Sequence, residues 1–234
     1  VILYGRNPVR EALRGSREVG RVWATQAAAK EPWLRELTEG LPLVRASAEE
    51  LASLAGSHDH QGVAAEVAEY RYAEPAGLLE ADDALVLVLD EIQDPQNLGA
   101  LARVAESAGA TGMVIAQRRT AEVTPAACKA SAGAVEHLAI ARVANISDFL
   151  TSAKQAGAWV YGAAAGGELS YDQPEYDGKV VIVVGSEGRG MRPKVAKTCD
   201  ALVSIPQRGR IESLNVSTAT AVLLYAVLAS RART

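Results

Sequence analysis

Three short polar stretches in this 234-residue chain combine residue types that can grip a ligand. The first, Asp94-Pro95-Gln96-Asn97-Leu98-Gly99, leads into an apolar periodic segment that carries Arg103. Leu101, Ala102, Val104 and Ala105 surround Arg103 in sequence, and a guanidinium partly buried among such neighbours needs a carboxylate or phosphate partner. The second is Gly185-Ser186-Glu187-Gly188-Arg189-Gly190, where an acid stands among three glycines. A tight turn explains the glycines but not Glu187. The third spans Ile205-Pro206-Gln207, Gly209 and the run Glu212-Ser213-Leu214-Asn215-Val216-Ser217. Asn97, Ser213 and Asn215 are also helix-capping types, so local chemistry alone leaves each open as cap or as ligand contact.

Several reaction classes fall away on spacing. A dinucleotide site shows G-x-G-x-x-G after a first strand, whereas this chain shows G-x-x-G-x-G after a late one. A phosphate-cradling P-loop is excluded too, because its terminal Lys-Ser/Thr is missing. The three histidines, His58, His60 and His137, lie outside all three stretches and no Gly-x-Ser-x-Gly elbow is present, which argues against a Ser-His-Asp hydrolase. His58-Asp59-His60 offers too few ligands for a metal, with Cys128 and Cys199 remote, so no metal is expected.

The elements that position these stretches read as α/β. In the first part, Asn7 with Pro8 predicts a helix N-terminus closed by Gly15, and Ser47 with Glu50 predicts a capping box for a helix ending near Gly56. Val63, Ala65 and Val67 alternate with Ala64 and Glu66 as a strand does. Residues 71–83, with Pro75, Gly77 and four acids, break both periods and mark a linker. Beyond it, 84–92 is a continuous apolar run expected of a strand buried on both faces, followed by a helix over 98–109. Further strand patterns alternate with helical ones, which predicts a parallel sheet covered on both faces, with the polar stretches at its C-terminal strand ends. A long helix over 215–231 closes the chain, its stripe of Leu223, Leu224, Val227 and Leu228 suited to a core or to a second subunit.

Composition narrows the setting. The longest aliphatic-rich stretch near the C-terminus is nine residues, 221–229, against the about 20 needed to span a bilayer, so a soluble protein without membrane association is expected. Two cysteines and no signal-peptide pattern favour the cytoplasm. The chain opens at Val1 without an initiator Met, which points to a longer product. The net charge of −4 gives no global field for nucleic acid. Locally, however, residues 188–211 hold six basic side chains against one acid, surrounding the polar motifs and suiting an anionic ligand.

The spacing D-P-Q-N-L-G…R-x-A at 94–105, V-G-S-E-G-x-G-M at 184–191 and I-P…S-L-N-V-S at 205–217 resembles the three signature motifs of the SpoU (TrmH-like) RNA ribose 2′-O-methyltransferases of the SPOUT superfamily. The opening Y-G-R-N-P-V and the H-Q-G-V at 60–63 are similar to the branch that methylates a guanosine of bacterial large-subunit ribosomal RNA. This resemblance implies an N-terminal L30e-like RNA-substrate-binding domain over 1–73, a linker over 74–83 and a SPOUT methyltransferase domain over 84–234, its C-terminal part threaded as a trefoil knot. It further implies S-adenosyl-L-methionine as cofactor, RNA as partner and a homodimer. Carried over by position, Asn97, Arg103, Glu187, Ser213 and Asn215 are the catalytic set, and Ala164, Gly185, Ile205 and Leu214 hold the cofactor. Arg189, Arg208 and Arg210 are the substrate contacts. The family assigns Arg103 to activating the hydroxyl, yet a guanidinium holds its proton too tightly to be a good base. A phosphate contact and stabilisation of the developing alkoxide suit it better, with Glu187 holding its loop or partnering Arg103. A ribosomal adenosine or a tRNA ribose remains open as substrate, because these motifs do not read the base. A non-catalytic RNA-binding module would be expected to lose motif residues, and none is lost.

Overall fold

The structure, a computed structural model, describes residues 1–210 and 213–233. The first 67 residues contain strands β1 (Ile2–Tyr4), β2 (Val19–Ala24), β3 (Leu43–Arg45) and β4 (Val63–Val67) with helices α1 (Arg6–Arg14), α2 (Pro32–Leu37) and α3 (Ala48–Ala55). The sheet runs β1-β4-β2-β3, with β4 antiparallel to both its neighbours and β2 parallel to β3. Because β4 is internal, Ala64 and Ala65 are both buried and only Glu66 is exposed, so its period-two pattern reports one outward residue rather than a half-wet strand. The Ser47–Glu50 capping box forms in full and Gly56 ends α3. The start of α1 differs from expectation. Its N-cap is Gly5, at φ 96°, where a side chain would be strained, and the Asn7 amide instead accepts from Arg10 at 3.2 Å.

The rest of the chain builds a seven-stranded, wholly parallel sheet of β5 (Leu85–Asp90), β6 (Gly112–Ala116), β7 (Ile140–Val143), β8 (Trp159–Ala163), β9 (Leu169–Ser170), β10 (Val180–Gly185) and β11 (Ala201–Ser204), in the order β7-β6-β5-β10-β8-β11-β9. Helices α4 (Pro95–Ser107), α5 (Pro125–Ala130), α6 (Ile146–Gln155), α7 (Pro193–Thr198) and α8 (Val216–Arg231) cover it. Alternate residues of each strand serve opposite faces. Leu85, Leu87, Leu89 and Ile182 pack with Leu98 and Leu101 of α4 and Leu223, Leu224 and Val227 of α8. Val86, Val88, Val181 and Val183 pack with Ile146, Phe149 and Leu150 of α6 and Val195 of α7. Two buried faces explain the unbroken apolar runs. The α8 stripe is therefore filled by the chain's own core. Leu223, Leu224 and Val227 are at most 1% exposed and cannot form a subunit interface, and each contributes roughly 1.5–3 kcal/mol by burial.

The stretch read as a linker is packed. Ala73 donates its amide to Ile140 O at 2.8 Å, and a 3-10 turn at Pro75–Leu79 buries Leu78 and Leu79 against the second face of the parallel sheet. Its acids and Pro75 break periodicity, but two leucines bind it down. Among the described residues, no helix is long and apolar enough to cross a membrane.

A buried polar cluster joins the two sheets' neighbourhoods and borders a cavity of about 630 Å³. Arg17 and Glu136, with side chains 7% and 2% exposed, lie 3.3 Å apart. The Arg17 guanidinium stands 5.1 Å from the centre of the Tyr70 ring, whose hydroxyl donates to Val135 O and Leu138 O. Burial raises the Glu136 carboxyl above the usual range despite the opposing charge of Arg17, and burial beside Glu136 pushes the Cys128 thiol up to about 12. Nearby, Glu11 meets His137 Nε2 at 3.0 Å. Burial pushes Glu11 up, but hydrogen bonds from Arg10 and His137 outweigh it and leave its carboxyl lowered.

Removing Arg17 strands a buried carboxylate. Arg17→Met is expected to cost about 3–5 kcal/mol at neutral pH, the range for breaking a buried pair. The raised carboxyl of Glu136 binds a proton more readily in the folded than in the unfolded state, so protonation favours folding as pH falls through its folded value. The loss in the variant should accordingly shrink at about pH 5. Urea denaturation of both proteins at neutral pH and at about pH 5 reads this, and an equal loss at both would contradict it.

Candidate functional site

The polar stretches converge because parallel strands end together. Gly185 closes β10, Ala164 follows β8 and Ile205 follows β11, three neighbouring strands. Continuing the register Val183↔Gly162 by two residues sets Gly185 opposite Ala164, and Ala164 donates its amide to Val203 O of β11 at 3.0 Å. The three residues expected to hold a cofactor thus stand at one edge. Ile205 is half-buried, and Leu214, on the loop entering α8, is 39% exposed.

The loop after β10 closes on itself. Gly190 donates its amide to Ser186 O at 2.9 Å, and a Cβ at Gly185 would lie 2.1 Å from Gly190 C and 2.2 Å from Met191 N. The loop's own backbone therefore requires glycine at this position. Glu187, exposed on this loop, accepts from Asn215 Nδ2 at 2.8 Å. Asn215 also caps α8, its Oδ1 accepting from the Ser217 amide at 2.9 Å and the Ser217 hydroxyl at 2.6 Å. Cap and contact are the same residue. That bond joins the second and third motifs. Ser213 is exposed beside them, while Glu212 lies outside the described residues.

The first motif stands on α4, which packs beside α8. Asp94, not Asn97, is its N-cap, accepting from the Gln96 amide at 3.0 Å. Asn97 falls one turn in, half-buried, with its amide uncommitted to capping. Arg103 is exposed rather than partly buried, because it projects from α4 on the side away from Leu101 and Ala102. Among the described residues it makes no ion pair or side-chain hydrogen bond, so the partner demanded of a buried guanidinium is not demanded here.

One residue went unrecognised in the sequence. Asp90, fully buried at the end of β5, accepts from the Arg192 amide at 2.7 Å and from its Nε at 2.8 Å, with Nη2 at 2.6 Å. The hydrogen bond to Asp90 raises the Arg192 guanidinium above its ordinary pKa, against a smaller opposing push from burial. The signal was an acid ending an otherwise apolar, doubly buried strand, which must be paired. Arg192 therefore leaves the pool of free positive charge, whereas Arg189, Arg208 and Arg210 are exposed.

Two family models match the chain. Residues 84–225 match the SpoU rRNA Methylase family, and residues 2–73 match RNA 2′-O ribose methyltransferase substrate binding. An uncharacterized tRNA/rRNA methyltransferase of Synechocystis sp. is 37% identical over 240 residues, covering 98% of this chain, and the chain spans 62% of that relative's length. YacO of Bacillus subtilis, provisionally named as a TrmH family tRNA/rRNA methyltransferase, is 36% identical over 238 residues, covering 98% of this chain and 95% of YacO. The AdoMet-bound rRNA methyltransferase of Sinorhizobium meliloti superposes with a TM-score of 0.82 at 25% identity, covering 97% of this chain and 85% of that one.

The Asp90–Arg192 tether anchors the segment that follows the glycine-rich loop. Asp90→Ala is expected to cost about 1–3 kcal/mol. Trypsin should then cleave after Arg189 faster, by about tenfold for each 1.4 kcal/mol of local opening. Equal cleavage of both proteins would refute the tether.

Proposed function

Because the chain belongs to the SpoU rRNA Methylase family, we propose that it transfers a methyl group from S-adenosylmethionine to a ribose 2′-hydroxyl of RNA, a guanosine of large-subunit ribosomal RNA in the cytoplasm. The observation that carries this reading is the meeting of the second and third motifs through Glu187 and Asn215 at the strand ends where Ala164, Gly185 and Ile205 align. An adenosylmethionine fits these residues. The exposed Leu214 and half-buried Ile205 offer apolar surface beside strand-end backbone for an adenine, and the Glu187 carboxylate suits a sulfonium cation. When bound, the cofactor supplies an electrophilic methyl group whose departure leaves a neutral thioether.

The remaining work falls to the chain's own side chains. Guanidinium groups keep their proton at neutral pH, so Arg103 acts by charge, contacting a substrate phosphate and stabilising the alkoxide that develops at the ribose oxygen. Its exposure and lack of a described partner leave it available for that contact. Ser213, Asn215 and Asn97 orient ribose and cofactor by hydrogen bonds, which aligns the in-line attack. Residues 1–73, with nine basic and ten acidic side chains, select RNA by shape and placed contacts, while Arg189, Arg208 and Arg210 bind phosphates. Trefoil threading of the C-terminal segment belongs to the same proposal, supported by the insertion of β10 between β5 and β8.

A homodimer also belongs to it, with the interface moved to the outer face of α8 that carries Thr218, Val222 and Tyr225. Tyr225 is 51% exposed there, beside the α4 face that bears Arg103. Light scattering should give twice 24.6 kDa, and Tyr225→Arg should shift the mass towards one chain. A wild-type mass of one chain would remove the dimer from the proposal.

Arg103→Ala is expected to lower methyl transfer by about a hundredfold or more while S-adenosylmethionine affinity stays within about twofold. Transfer of labelled methyl groups to RNA and calorimetric titration read the two quantities, and turnover near wild type would overturn the role. Mapping ribose methylation in RNA from cells with and without the gene tests the substrate. A lost mark on transfer RNA or on a ribosomal adenosine would replace the guanosine assignment.

A further inference from the structure

A second feature of the same sheet edge is unused by the chemistry above. Beyond β6 and β7, on the α6 and α7 face, lies a half-open cleft of about 410 Å³. Arg118, Arg119, Arg192 and Lys194 line it, with no acidic side chain among its described lining residues. Two of the four charges are compensated, since Asp90 takes Arg192 and Glu91 lies 3.7 Å from Arg119. Arg118 and Lys194 are exposed and make no ion pair among the described residues. This surplus stands on a protein whose net charge is −4. Arg119 and Glu91 are both non-glycine residues in the left-handed region, at φ 59° and 60°, so the rim is held in a conformation that side chains rarely adopt.

We propose that this cleft binds backbone phosphates of the RNA segment flanking the methylated nucleotide, with Arg118 and Lys194 as its principal contacts. The inference rests on the RNA methyltransferase reading and adds a substrate-binding surface to it. Two observations support an extended polyanion over a small one. The uncompensated charges of the cleft come from separate elements, and it adjoins the catalytic edge through Arg192, whose carboxylate partner Asp90 ends the strand that leads to Asn97 and Arg103. A strand of RNA laid across the C-terminal ends of β5, β6 and β7 would pass from one region to the other. Phosphate contacts of this kind set register and affinity without reading sequence.

The test uses the full chain carrying Arg118→Glu with Lys194→Glu, and a fluorescein-labelled single-stranded RNA of mixed sequence followed by anisotropy over a salt series. Losing two phosphate contacts should weaken binding by about tenfold or more at low salt and reduce the slope of log affinity against log salt by about 1.4. S-adenosylmethionine affinity and turnover at saturating RNA should be unchanged, so the defect appears in KM rather than kcat. Lys179→Glu, before β10 at the opposite edge of the sheet, should leave the slope in place. An equal fall there would overturn the cleft by assigning the effect to net charge, as would RNA affinity within twofold in the double variant. Competition by inorganic pyrophosphate as strong as by unlabelled RNA would make the cleft a small-anion site and likewise overturn the proposal. If the reversed variant loses cofactor binding, Arg118→Ala with Lys194→Ala decides by the same slope. Anisotropy reads the cleft even if no RNA is methylated, so failure of the enzymatic reading and failure of the cleft give different results.

Discussion

Covering a parallel sheet on both faces leaves its strands no polar side. Odd residues of β5 face α4 and α8 while even ones face α6 and α7, and both sets are apolar. Charged and hydrogen-bonding groups are thereby confined to the strand ends and the loops beyond them, where backbone groups also run out of ladder partners. Four polar features follow from that confinement: the Glu187–Asn215 bond, the Asp90 anchor, the strand-end backbone at Ala164 and the basic cleft all occupy one edge.

Asp90 shows how the edge is kept in order. A fully buried carboxylate is expensive unless its lone pairs are filled, and here one residue, Arg192, fills them through both its backbone amide and its guanidinium. The bond ties the end of β5 to the far end of the loop after β10. The glycine-rich loop is thus fixed on one side by its strand and on the other by a charge pair, with Gly185 allowing its backbone to fold back within van der Waals distance of itself. A loop so restrained can present Glu187 to Asn215 without a large entropic cost on each binding event.

Much of this was legible in the sequence where one physical pattern dominated. The runs at 84–92 and 180–185 could only be strands buried on both faces, and the Ser47–Glu50 capping box formed as spaced. The reading failed where two residues competed for one role. Asp94 took the cap that Asn97 could have filled, because Pro95 at the first helical position fixes the start of α4 one residue later than Asp94. In α1 Pro8 does not mark the start, because the helix begins two residues earlier at Arg6 behind the Gly5 cap. The α8 stripe was ambiguous in principle, since core and interface demand the same side chains, and only packing against α4 and the sheet separates them. Positions of the motif residues could be read off spacing, but the exposure of Arg103 could not, because flanking alanines and leucines describe a helix without saying which side of it is covered.

The place of β10 carries a consequence for how the chain comes into being. It lies between β5 and β8, yet its register partners on β5 precede it by ninety-five residues. Until β10 has been synthesised, β5, a run of valine and leucine, and β8 each present an unpaired parallel edge, and the centre of the sheet is a gap. Long-range parallel pairing of this kind is slow, since loop closure must precede any compensating contact. The chain therefore emerges from the ribosome with the β5 edge open while the ninety-five residues that separate it from its partner are made.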